Sequence, residues 1–180
     1  MIIELPNYIN LDLVEEIKTL SRPYINKNNN HIIYRDGCTV EISKNIELKK
    51  LDNKIHALCN ELQKNIIAPR YSPLYQSADT GYAYHLYNAG DIAHPHADGE
   101  VDESFLRYAS VVMCLNTPKD GGELVFPKQN KIIKSEAGKV IVFPPNGTHT
   151  HYTTESTDIR EVVVSWFIYA NVVVQNNAKQ

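Results

Sequence analysis

Within ten residues, the stretch DIAHPHADGE (91–100) offers His94, His96, Asp98 and Glu100. Imidazole nitrogen and carboxylate oxygen are the donors that iron(II), manganese and zinc favour. Two histidines and one carboxylate on one face of an octahedron leave three positions open for substrates. His96-Ala97-Asp98 has the pattern His-x-Asp, and in extended chain residues two apart point the same way, so one ion can take both side chains. Some fifty residues on, FPPNGTHTHYTTESTDIREVVVSWF supplies His149 and His151, and either can be the third ligand. Nine residues past His151, Arg160 opens the run REVVVSW, in which Arg160, Val162, Val164 and Trp166 share a face by alternation. A guanidinium buried among apolar neighbours carries a penalty of several kcal/mol unless an anion meets it. A dicarboxylate gripped by its planar fork would meet it. At the start of a strand the same arginine can instead reach solvent and pair with Glu155 or Asp158.

These residues need a scaffold, and the chain changes texture along its length. IIEL reads as a short strand ended by Pro6, and Asn10 as the cap of a helix over LDLVEEIKTL, with Leu13, Ile17 and Leu20 on one face. NKNNN is a polar loop. A second helix is predicted over 46–66, where Leu48, Leu51, Ile55, Leu58, Leu62 and Ile66 step by three or four. Past Pro69 the segments GYAYHLYN, RYASVVMCLN, GGELVFP, KIIKSE, KVIVFPP, HTHYTT and REVVVSWFIYANVVV are short, rich in Val, Ile and Tyr, and separated by turn residues. Strands at such spacing without helices between them predict a sandwich or barrel, and a double-sheet jelly roll suits the count. The expected fold is α+β with a mainly β core, a double-stranded β-helix on supporting N-terminal helices. One domain is expected over 1–180, with the helical layer at 1–70, the jelly roll at 71–172 and a loose tail at 173–180.

With 180 residues, 43% apolar and 22% charged, the composition is that of an ordinary globular chain. A net charge of -3 leaves no electrostatic footprint for nucleic acid, and no apolar run is long enough to span a bilayer. The opening MIIELPNYIN, without a charged stretch followed by an apolar run, does not read as a signal peptide. Cys38, Cys59 and Cys114 are odd in number and far apart, with no CxxC pair, and read as reduced thiols of a cytoplasmic protein. His31, His56 and Cys59 read as structural or surface residues. The acidic DGEVDE reads as a solvated face that could still favour a basic peptide.

In the order His96-x-Asp98, His151, Arg160, the chain resembles the 2-oxoglutarate- and Fe(II)-dependent oxygenases, in particular their prolyl 4-hydroxylase-like branch. The resemblance runs from Tyr82 to Phe167 through YNAG....PHAD, RYASVVMCLN, DGGELVFP and GKVIVFP, and includes the step from His151 to Arg160 with Trp166 six further on. It implies that His96, Asp98 and His151 hold Fe(II) and that Arg160 binds the distal carboxylate of 2-oxoglutarate. Tyr87 matches a family tyrosine near the cosubstrate or substrate, and Gly121 and Gly122 match paired glycines at a turn. His149 becomes a neighbour of the ligand, and His94 a residue at the site's mouth. Where many relatives have a tyrosine before LN, this chain has Cys114, a weak donor. The hydrogen bond that such a tyrosine gives the cosubstrate carboxylate would be absent here or pass to Tyr84 or Tyr87. Val112, Val162 and Trp166 complete the expected lining. The implied reaction hydroxylates a C–H bond with O2 as oxidant, converting 2-oxoglutarate to succinate and CO2, with ascorbate a further candidate cofactor. The branch suggests a prolyl residue of a peptide or protein as substrate; a free amino acid or another side chain stays open.

Two other readings use the same fold. A cupin-like metal enzyme would draw on His94, His96, Glu100 and His149, though its turn spacing is off by one, and would need neither Asp98 nor Arg160. A non-catalytic jelly-roll binding module would keep the site as a relic. Nucleic-acid dealkylation within the superfamily calls for a second arginine six beyond the first, where this chain has Trp166.

Overall fold

The computed structural model describes residues 1–25, 35–71, 77–99 and 107–169. The acidic loop from Glu100, the Asn-rich loop, His31 and the tail lie outside these residues.

Ile3–Leu5 forms β1, and Leu11–Ser21 forms α1, whose first turn is closed by the Asn10 side chain accepting from the Leu13 amide at 2.7 Å. The buried stripe of α1 is Val14, Ile17 and Ser21, with Leu13 at its edge; Leu20, expected inside, is 41% exposed. A 3-10 turn at Ile46–Leu48 leads into α2, Lys49–Leu62, which buries Leu51, Ile55, Cys59 and Leu62. The helical chain does not stop before Pro69. It passes through a π turn at Gln63–Ile67 into α3, Ala68–Tyr71. The π turn has already interrupted the regular ladder there, so a residue without an amide hydrogen removes less.

The remaining elements are strands, each paired antiparallel. They are β2 Cys38–Glu41, β3 Ser77–Asp79, β4 Ala83–Tyr87, β5 Arg107–Cys114 and β6 Leu124–Phe126. After them come β7 Lys131–Ile133, β8 Val140–Phe143, β9 Tyr152–Thr153 and β10 Arg160–Tyr169. A major sheet runs β1-β8-β5-β10-β4-β2, with β3 also on β10, and a minor sheet runs β7-β6-β9. Strands β2 and β3 carry no clear signal in the sequence, and HTHYTT contributes only the two residues of β9 after a 3-10 turn at Gly147–His149.

Alternation sorts the major sheet's side chains between two cores. Tyr82, Tyr84, Leu86, Val111, Met113, Val142, Val163 and Phe167 pack against α1 and α2. Ala83, Tyr87, Val112, Cys114, Ile141, Phe143, Val162 and Val164 face the minor sheet's Leu124, Phe126 and Ile133. Both faces are covered, so the central strands read as continuous apolar runs rather than alternating ones. This is a jelly roll on a helical layer, and its two sheets enclose the residues singled out for chemistry.

Candidate active site

His96 and His151 form an isolated antiparallel bridge: the His96 amide donates to the His151 carbonyl at 3.0 Å and the reverse bond is 2.9 Å. This clasp sets the two imidazoles side by side, ring centroids 4.4 Å apart. In each, Nδ1 lies against a backbone carbonyl two residues earlier, His94 at 2.7 Å and His149 at 3.0 Å. Nδ1 therefore carries a proton, and in the neutral ring Nε2 presents its lone pair, the tautomer a metal-bound histidine needs; without an ion, a second proton on His96 Nε2 can instead bond Asp98. Asp98 Oδ1 lies 3.4 Å from His96 Nε2 and 3.9 Å from His151 Nε2. The ligand atoms of these three residues all fall within 4.8 Å of one another. Ligands about 2 Å from a common ion stand roughly 3–4 Å apart, so the set fits one.

The carboxylate is oriented by neighbours that the sequence did not reveal. Ser110 Oγ donates to Asp98 Oδ2 at 2.6 Å, leaving Oδ1 to the histidines, and Arg107 Nη1 donates to the Asp98 carbonyl at 2.9 Å. Arg107 also stacks 4.0 Å over the Trp166 ring, tying the far end of β10 to the His-x-Asp turn. Burial disfavours the Asp98 charge, but the His96 and Ser110 hydrogen bonds and the His151 ring overcome it and hold the carboxyl well below the usual range. Burial likewise opposes a charge on His96, and there Asp98 and the His94 carbonyl win and raise its pKa. For His151 burial dominates and lowers the pKa.

Arg160 is 4% exposed on the same face as Val162 and Val164, its Cζ 5.1 Å from the Tyr87 ring centroid. It makes no salt bridge among the described residues, and its Nε is buried without a hydrogen-bond partner. Glu155 and Asp158 do not take it up: Asp158 Oδ1 accepts from the Lys119 amide instead. The paired glycines shape its surroundings. A Cβ at Gly121 would meet the Glu155 carbonyl oxygen at 1.8 Å, one at Gly122 would come within 3.1 Å of Arg160 Cδ, and both have φ above +70°. Tyr87, Val112, Cys114, Val162 and the partly buried Trp166 all border this core.

Tyr84 does not. Three residues from Tyr87, it has the opposite parity on β4, and its hydroxyl donates to Glu161 Oε1 at 2.5 Å on the helix side. The reading of Tyr84 as a lining residue, or as the donor that replaces a tyrosine at position 114, is thereby corrected. His94 Nε2 sits half-exposed 3.6 Å from Asp36, and His149 Nδ1 is engaged by Thr148 Oγ1 at 2.9 Å. Neither joins the three residues that could hold an ion, and Glu100 of the cupin-like set lies outside the described residues. Two further residues stand on the site side unannounced, Arg35, bridged to Ala93, and His85. For His85 a signal existed, since it alternates with Tyr87 on β4.

Residues 82–168 match the family model of the 2OG-Fe(II) oxygenase superfamily. No curated protein matches the chain. Among solved structures it is similar to the viral collagen prolyl hydroxylase of Paramecium Bursaria Chlorella virus-1 in complex with 2OG, at 15% identity and TM-score 0.73, covering 94% of this chain and 96% of that one. A Pseudomonas putida prolyl-4-hydroxylase gives 19% identity and TM-score 0.70 over 93% and 92%. A Trichoplax adhaerens prolyl hydroxylase, in complex with a hypoxia inducible factor peptide fragment, gives 14% and 0.70 over 94% and 84%. Likeness at these identities is likeness of fold, and the family model spans His96, Asp98, His151 and Arg160. Over residues 82–168 the chain matches the 2-oxoglutarate- and Fe(II)-dependent oxygenases, and over nearly its whole length it has the fold of prolyl hydroxylases.

Proposed function

We propose that the protein is a dioxygenase that hydroxylates an unactivated C–H bond at the expense of 2-oxoglutarate and O2, releasing succinate and CO2, and that a prolyl residue of a peptide or protein is its substrate. The observation that carries this reading is the convergence on one face of two imidazole Nε2 atoms, one carboxylate oxygen and a buried arginine without an anion.

His96, Asp98 and His151 would hold Fe(II), which supplies the oxidising chemistry when bound. Three protein donors on one side leave room for a chelating cosubstrate and O2. Arg160 offers its guanidinium to the far carboxylate of 2-oxoglutarate, and the Tyr87 ring keeps that guanidinium in place. Val112, Val162 and Val164 exclude water and present no polar group that is easily oxidised. Cys114, fully buried beside them, leaves the carboxylate with fewer neutral donors than a tyrosine would, so Arg160 bears more of the binding. The prolyl substrate rests on the fold shared with prolyl hydroxylases, one of which was solved with a peptide.

The test is an anaerobic titration with Fe(II) and 2-oxoglutarate, following the visible charge-transfer band of the chelate. The band is expected in wild type, absent in Asp98→Ala, and to require far more 2-oxoglutarate in Arg160→Ala. Metal binding without any chelate band would sink this reading.

A further inference from the structure

Arg35 is 8% exposed and is bridged through its backbone to Ala93, which lines the site-side core. Its Nη2 donates to Thr39 Oγ1, and Nη1 is buried with no hydrogen-bond partner. It makes no salt bridge among the described residues; the adjacent Asp36 accepts from the Ile92 amide and faces His94. Thr39 pairs directly with His85 across β2 and β4, so the clamp that holds Arg35 and the His85 ring share one face of the sheet. That face is the site side, because His85 alternates with Ala83 and Tyr87.

His85 is 7% exposed and forms no hydrogen bond among the described residues; its ring meets Tyr87 edge-on at 6.4 Å. Burial first, then the charges of Arg35 and Arg160, push its pKa well down. The ring is therefore neutral, with an N–H to donate. Ala93, bridged to Arg35, lies three residues before His96, so this corner adjoins the triad.

We propose that Arg35 and His85 form a second anion subsite beside the triad, which takes a carboxylate of the substrate. The proposal rests on the oxygenase reading for what fills the other positions. On that reading the iron and two buried arginines face, among the described residues, Asp98 and the dianionic cosubstrate, so one positive charge is left over there. Such a charge is costly without a partner. A carboxylate meets it with two kinds of donor, the Arg35 Nη1–H and the His85 N–H, while Thr39 fixes the fork's angle. The carboxylate can be a chain end, including that of a free amino acid, or an acidic side chain next to the reacting residue.

Calorimetric titration of the protein loaded with Mn(II) and 2-oxoglutarate separates these sources with two ligand pairs. L-Proline against L-prolinamide reports a terminal carboxylate; acetyl-Glu-Pro-amide against acetyl-Gln-Pro-amide reports a side chain. Wild type is expected to prefer the carboxylate in one pair by about 10-fold or more, the size of one charged hydrogen bond. Arg35→Gln should erase that preference and leave 2-oxoglutarate binding unchanged, and Arg35→Lys should restore part of it. Thermal melting of both variants reports whether the fold is kept. No preference in either pair, a preference that survives Arg35→Gln, or loss of 2-oxoglutarate binding in Arg35→Gln would each overturn the proposal. Failure of wild type to bind 2-oxoglutarate would instead sink the oxygenase reading; the same pairs titrated into metal-free protein then still decide the subsite.

Discussion

Arg160 and Glu161 are adjacent on β10, both almost fully buried, and they face opposite cores. Glu161, toward the helices, is closed on itself. Arg22 at the end of α1 grips it in a two-pronged pair, Nε and Nη2 each 2.8 Å from a carboxylate oxygen, and Tyr84 donates a third bond. Arg160, toward the minor sheet, has an aromatic ring for company and an Nε with no acceptor. The helix-side charge is neutralised within the chain and serves the fold. Among the described residues the site-side charge has no anion, nor has Arg35, and that is the signature of a face built to receive ligands.

The sharpest way to break this comparison is to unmake the closed side. Arg22→Met keeps much of the aliphatic shaft but strands the Glu161 carboxylate in the core; a wholly buried pair costs about 3–5 kcal/mol to break, and the half-exposed Arg22 brings this down to about 2–3 kcal/mol. Urea denaturation at neutral pH should show a loss of that order. An unchanged midpoint would mean that Glu161 is relieved in some other way and that the two faces are not so different.

The matching change on the open side should behave in reverse. Arg160→Met removes a buried charge that has no partner in the ligand-free protein, so stability should hold or rise. The affinity for 2-oxoglutarate, read from the anaerobic chelate band, should fall by about 10–100-fold, the equivalent of one or two charge-assisted hydrogen bonds. A variant that loses stability and keeps its affinity would reverse the roles assigned to the two charges. Next in size, Ser110→Ala withdraws the hydroxyl that orients Asp98 Oδ2. Losing such an outer partner typically costs a metal site about 10-fold or somewhat more. Fe(II) affinity should drop by that factor with little change in melting temperature.

How much of this is legible in the chain depends on whether parity or distance carries the information. The triad can be proposed because His96 and Asp98 are two apart in extended chain, and Arg160 can be placed with Val162 and Val164 by the same period. That period, applied to β4, also separates Tyr84 from Tyr87 and puts His85 with the latter. On β5 it puts Ser110 with Val112 and Cys114. What the sequence could not supply was pairing between distant segments. Residue types left His149 and His151 open and only the family resemblance chose His151; the physical reason, its backbone bridge to His96 across more than fifty residues, is in the fold. Arg35 reads as the end of a loop until β2 and the Ala93 bridge bring it to the site. Pro69 looks like a boundary because prolines usually are; only the π turn before it shows why the helix continues.

The smallest effect expected tests the corrected residue. Tyr84→Phe removes the hydroxyl donated to Glu161 and should cost about 1 kcal/mol, the net worth of an ordinary hydrogen bond. Its affinity for 2-oxoglutarate should match wild type, because the ring points away from the site. Alkaline pH makes the same point through the sign of the linkage. Burial, and then the neighbouring Glu161 carboxylate, raise the Tyr84 pKa far above the ordinary phenol value of about 10. The unfolded chain therefore releases this proton first. Tyr84's contribution is complete below pH about 10 and is lost as the pH climbs further, when the unfolded state gains by ionising and the native state cannot. Tyr84→Phe should make the alkaline fall in stability shallower without abolishing it, since Tyr82 is raised in the same way by burial. An unaltered alkaline slope together with a weakened chelate band would return Tyr84 to the cosubstrate side of the sheet.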